Sequence, residues 1–123
     1  EVKEYFEVNN NKIFIHGRLP KKELEKALIE ASVLVSVGNN INNQLPSKVL
    51  EYIATGKPII NFYSIDDDTS NYYLKKHPNS LLIKEDEVKF NESVNLVINF
   101  IINQKHTFVS LEELKERYKS KKR

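Results

Sequence analysis

Apolar residues along this 123-residue chain fall into short runs separated by stretches with helical periodicity. Ile13–His16 is a brief apolar run bounded by Asn9-Asn10-Asn11 and by Gly17, and it predicts a buried strand. Leu24, Ala27, Leu28 and Ala31 follow at the i, i+3, i+4, i+7 spacing of one helix face, so a helix is expected over about Pro20–Ser32. Val33–Val37 predicts a second buried strand, Ser47–Thr55 a second helix, Pro58–Phe62 a third strand and Ser80–Ile83 a shorter fourth. One irregular helix is expected within Asp66–His77, ended by Pro78. Two terminal helices follow, about Asn91–Asn103 and Leu111–Lys121. Ser110 and Glu113 give the second of these a capping-box start.

Apolar, non-alternating strands interleaved with helices imply an α/β fold: a Rossmann-like parallel sheet of about four strands, with helices on both faces and right-handed crossovers. Ligands of such sheets bind beyond the carboxyl ends of the strands. The segments Gly17–Leu19, Gly38–Leu45 and Tyr63–Asp68 all follow strands, so all three are expected on one rim.

The densest chemistry lies between Gly38 and Ile60, GNNINNQLPSKVLEYIATGKPII. A polar loop runs into Leu45-Pro46-Ser47, which opens a short helix. Thr55-Gly56 closes that helix, and Lys57-Pro58 leads into an apolar strand. First-turn N–H groups have no partners inside a helix, and the dipole makes that end partly positive. An anion, phosphate above all, is a natural ligand there. Lys48 adds a full charge beside that end, and Glu51, one turn past Ser47, offers a carboxylate to sugar hydroxyls. Together they suggest a site for a phosphate attached to a sugar.

This segment resembles the nucleotide-sugar site of GT-B glycosyltransferases, in the large retaining family sometimes called group 1. There, two glutamates eight positions apart flank a turn and helix, followed by a small residue, Gly, Lys or Thr, Pro and a hydrophobic strand. Glu51 matches the second glutamate, and Ala54-Thr55-Gly56-Lys57-Pro58-Ile59-Ile60 matches the tail. Pro46-Ser47-Lys48-Val49-Leu50-Glu51-Tyr52 is similar to the branch that builds bacterial surface polysaccharides. Asn43 stands where the first glutamate would be, and keeps hydrogen-bonding capacity without charge.

The resemblance covers about Lys12–Asp86 and implies the later half of a donor-binding, carboxyl-terminal domain. Absent relative to the family are the first βαβ portion, with its basic pair for the diphosphate, and the amino-terminal acceptor-binding domain. It implies a nucleotide-sugar site built from Gly17, Arg18, Asn43, Gln44, Leu45, Pro46, Ser47, Lys48 and Glu51, with no metal and no cofactor. Lys48 and the Leu45–Lys48 amides would stabilise the departing diphosphate, Glu51 would hold a ribose hydroxyl, and Gly17 would let the backbone approach the base. The parent enzyme would transfer a sugar from a nucleotide diphosphate donor to a glycan or lipid-linked acceptor. This chain alone is expected not to catalyse.

Composition adds bounds. With 40% apolar and 29% charged residues the chain reads as one ordinary globular domain, residues 1–123. A net charge of +2 gives no nucleic-acid signal, and zero cysteines exclude disulfides and cysteine-ligated zinc. No apolar run spans a bilayer and no signal peptide is visible, so the expected location is cytoplasmic, including the inner membrane face. Starting at Glu1 and lacking methionine, the chain is expected to be a piece of a longer protein.

Each candidate also has a plainer explanation. Lys48 and Glu51 are ordinary residues of a solvated helix, Arg18 of a strand-end turn, and Asn43 and Gln44 could satisfy loop carbonyls. Pro46 more simply sets the loop angle. His16 lacks a neighbouring nucleophile or orienting acid in the sequence. Asp66-Asp67-Asp68 could suggest a metal, but acids before Thr69-Ser70 suit a helix start. Lys119, Lys121, Lys122 and Arg123 make a basic end suited to the helix dipole and to weak peripheral contact with an anionic membrane. The rival functions are a non-catalytic Rossmann-like partner subunit and a signalling module. A receiver-type module needs acids after its first strand, where His16-Gly17-Arg18 stands.

Overall fold

The computed structural model describes residues 16–38, 47–85, 89–103 and 109–119. Its elements run α1 (Lys21–Glu30), β1 (Leu34–Val37), α2 (Ser47–Ala54), β2 (Ile59–Tyr63), α3 (Thr69–Leu74), β3 (Ser80–Lys84), α4 (Phe90–Ile102) and α5 (Leu111–Arg117). The strands form one parallel sheet in the order β1-β2-β3. Leu34 pairs with Ile59, and Ile59 in turn with Ser80. Each crossover carries a helix, as parallel pairing requires. The fold is α/β, a partial Rossmann-like sheet flanked by helices. The expected strand at Ile13–His16 lies outside the described residues except for His16, which is not in a strand.

One core cluster joins Leu34, Val49, Ile53, Ile59, Leu74 and Leu114, so β1, β2, α2, α3 and α5 share one apolar interior. Leu28 and Ala31 bring α1 against it. The other rows of the sheet bury Ile60 and Ile83, and α4 lies against β3. Two expectations of burial are only half met. Leu24 and Ala27 of α1 are exposed, because only the carboxyl-terminal turn of that helix reaches the core. Val35 and Val37 of β1 are also exposed: β1 is an edge strand, and among the described residues nothing covers their row.

Local chemistry accounts for the boundaries. Helix α2 ends at a glycine with φ of 76°, a left-handed residue that only glycine adopts without strain. The Thr55 hydroxyl donates to the Tyr52 carbonyl at 2.6 Å and accepts from the Lys57 amide at 3.1 Å, closing the turn. Asp68 caps α3 by accepting from the Ser70 amide at 2.8 Å. Ser110 caps α5 by accepting from the Glu113 amide at 3.1 Å, which is the first half of the capping-box spacing. Helix α5 stops at Arg117, short of the expected Lys121. The Tyr118 hydroxyl donates to the Tyr73 carbonyl there, and burial pushes its pKa up to about 12.

The turn after α3 carries a buried histidine. His77 accepts from the Asn79 amide through Nδ1 at 3.0 Å, while its buried Nε2 has no hydrogen-bond partner among the described residues. Its pKa lies below the ordinary 6.5, first because burial disfavours the charged ring, then because Arg117 of α5 adds positive charge; Glu113 partly offsets this. The folded state therefore favours the neutral ring, whereas the unfolded chain takes up a proton below about pH 6.5. Stability from this group is complete above that pH and falls as the pH drops. Chemical denaturation at about pH 7.5 and 5.5 should show the loss. His77→Gln, which keeps an acceptor for the Asn79 amide, should flatten that interval; an unchanged slope would exclude His77 as its source.

Candidate functional site

Val49 and Ile53 set the orientation of α2. They are buried in the core, so the opposite side of the helix faces outward. Ser47, Lys48 and Glu51 are all exposed on it. Lys48 and Glu51 are three residues apart and so neighbours on the helix surface; Ser47 and Glu51, four apart, are likewise adjacent. Lys48 stands in the first turn, where its charge adds to the positive end of the dipole. The structure thus brings together three of the expected site residues.

Asn43, Gln44, Leu45 and Pro46 lie outside the described residues. So do Lys121, Lys122 and Arg123 of the basic end. Gly17 and Arg18 are exposed in the segment leading into α1. Gly17 has φ of 67°, and a Cβ built there meets none of the described residues within 4 Å, so among them its conformation rather than a close approach calls for glycine.

The rim beyond the carboxyl ends of the strands is assembled by β1 and β2. The Gly38 amide donates to the Phe62 carbonyl at 2.7 Å, joining the exit of β1 to that of β2. The following loop folds back so that Asp68 lies directly on Gly38, where a Cβ would sit 2.1 Å from the carboxylate Oδ2. The Gly38 and Tyr63–Asp68 segments therefore meet on one rim, as strand order requires. Lys84, at the end of β3, pairs with Asp66 at 2.6 Å across the same edge. Asp66 and Asp68 are thus engaged separately, one with a cation and one with a helix start. Among the described residues no group of three or more His, Asp or Glu is placed to hold a metal ion. Also among them, no helix is long and apolar enough to cross a membrane.

Lys57, embedded in the motif tail, has a role that the sequence did not reveal. It is 4% exposed, and its ammonium donates to the carbonyls of Leu28, Ile29 and, at 2.6 Å, Ala31. These belong to the carboxyl-terminal end of α1, whose last turn has no basic residue of its own. That lack was the available signal: orphan carbonyls at a helix end need donors from elsewhere. A second missed feature is Asn61, fully buried in the middle of β2, whose Nδ2 donates to Asn71 Oδ1 at 2.8 Å.

No protein-family model, curated protein or solved structure matches the chain.

Proposed function

We propose that this chain is the nucleotide-sugar-binding part of a GT-B glycosyltransferase. The observation that carries the proposal is α2: Ser47 and Lys48 of its first turn are exposed and share one outward face with Glu51, opposite the buried Val49 and Ile53. Its resemblance to the donor site of that family supplies the ligand class. In this proposal the α2 amides and Lys48 bind the diphosphate, Glu51 accepts from a ribose hydroxyl, and Arg18 lies toward the base. During transfer, negative charge develops on the departing diphosphate, and the positive groups at α2 favour that change. The remaining phosphate contacts, the acceptor site and any contact with a lipid-linked acceptor at the inner membrane face would come from other parts of the enzyme.

Titration of the 123-residue chain with UDP-glucose and GDP-mannose, followed by amide chemical shifts, tests the proposal. Weak binding should perturb Arg18, Ser47, Lys48 and Glu51. Lys48→Ala and Glu51→Gln should each lower affinity roughly tenfold, the loss of one charge-assisted hydrogen bond. Because both residues are exposed, thermal stability should hardly change. Perturbation centred on Asp66–Asp68 and dependent on a divalent metal would replace this proposal with a metal-dependent one.

A further inference from the structure

We propose that the Asp68 carboxylate is a hydroxyl-binding group of the rim, accepting a hydrogen bond from a sugar or ribose hydroxyl; this rests on the nucleotide-sugar reading above. Asp68 is 6% exposed. Its Oδ1 is used by the α3 cap, but its Oδ2 is buried with no hydrogen-bond partner among the described residues. A buried carboxylate oxygen without a donor is strongly unfavourable, and such an atom calls for a specific explanation.

The cap alone does not supply one. Asn and Ser cap helices about as well as Asp and bring no second carboxylate oxygen into the interior. The sequence also places a glycine where the carboxylate lies. Any side chain at Gly38 would overlap Oδ2, so β1 is followed by the one residue that accommodates this acid in its present place. The location is the carboxyl rim of a parallel sheet, where such folds bind ligands. An acceptor without a donor selects a ligand that brings one. A hydroxyl fits, because it donates to a carboxylate without needing a compensating charge.

Calorimetry on the full chain with UDP-glucose, GDP-mannose, UDP and GDP tests the proposal. Asp68→Ser keeps an N-cap oxygen for the Ser70 amide and deletes Oδ2, whereas Asp68→Asn keeps the cap and the shape but removes the charge. With Asp68→Ser, nucleotide-sugar affinity should fall about tenfold or more. A loss confined to the nucleotide sugars assigns the hydroxyl to the transferred sugar; an equal loss with UDP and GDP assigns it to the ribose. Unchanged affinity in Asp68→Ser, with wild type binding normally, overturns the proposal and leaves Oδ2 to an internal water, while the nucleotide-sugar reading stands. If Asp68→Ser does not fold, Asp68→Asn decides alone: wild-type affinity overturns the proposal and weakened affinity supports it. A wild-type chain that binds none of the four probes overturns both.

Discussion

Gly56→Ala is expected to destabilise the protein by about 3 kcal/mol, from a left-handed backbone at roughly 1–2 kcal/mol and a steric overlap of similar size. Gly56 has φ of 76°, and a Cβ there would lie 2.3 Å from the Val109 carbonyl oxygen. Neither contact can relax cheaply. The colliding atom is backbone, and the Val109 amide is held by the Gly56 carbonyl at 2.9 Å. The segment pressed against Gly56 leads into α5, which contributes Leu114 to the core. The substitution should therefore loosen α5 as well as strain the α2–β2 turn. Urea denaturation should show a lower midpoint, and hydrogen exchange should quicken at Leu114 and Arg117. Gly17→Ala separates the two effects: its φ is 67° but no described residue lies within 4 Å of the added Cβ, so only the backbone contribution of about 1–2 kcal/mol is expected. Equal losses at the two glycines would refute the contact with Val109.

The same two positions show what the sequence could and could not convey. Pro58–Phe62 and Ser80–Ile83 announced parallel strands because their apolar residues do not alternate, and β2 and β3 lie within one residue of those limits. Gly56 and Ser110 marked helix boundaries because left-handed turns and N-caps are local events that few residue types satisfy. Long-range pairings were not legible. Nothing near Lys57 in the chain indicates that its ammonium would reach back to Leu28, Ile29 and Ala31. Periodicity alone made Leu24 a core residue, although it is 43% exposed and only Leu28 and Ala31, at the other end of α1, reach the core cluster. Asn61 interrupts an apolar strand, and only the placement of α3 shows that Asn71 awaits it.

For the candidate site, the division matters more. The tail of the motif, Gly56-Lys57-Pro58, is architecture: a left-handed turn, an anchor for α1, and a carbonyl at Pro58 that accepts from the Leu34 amide at 2.9 Å. These residues make the sequence resemblance strong, yet what they do here is hold α1, α2 and β1 together. In the proposed function, recognition of a ligand rests on the outward residues of α2 and on the rim at Asp68. The exposed Lys48 and Glu51 have no packing requirement to fulfil, so a sequence pattern announces them only through the motif in which they sit, whereas Asp68 is announced only as a helix cap.

Lys57→Met is accordingly expected to reduce stability by about 3 kcal/mol or more without acting on any ligand directly. Methionine preserves the length and apolar stem but removes three donors from the end of α1, and a hydrogen bond involving a charged group contributes roughly 1.5–3 kcal/mol. Three carbonyls at the negative end of a helix dipole would lose a cation that no residue in the last turn of α1 replaces. Among the described residues, α1 meets the core cluster through Leu28 and its C-cap Ala31, so its attachment leans on this anchor. Hydrogen exchange should accelerate across Leu24–Ala31 before the rest of the fold responds, and the urea midpoint should fall with little change in slope. Lys57→Arg is no rescue. The planar guanidinium presents its donors in a fixed fork, unlike the three converging N–H bonds of an ammonium. A Lys57→Met protein within about 0.5 kcal/mol of wild type would show that the anchor contributes no more than an ordinary surface side chain.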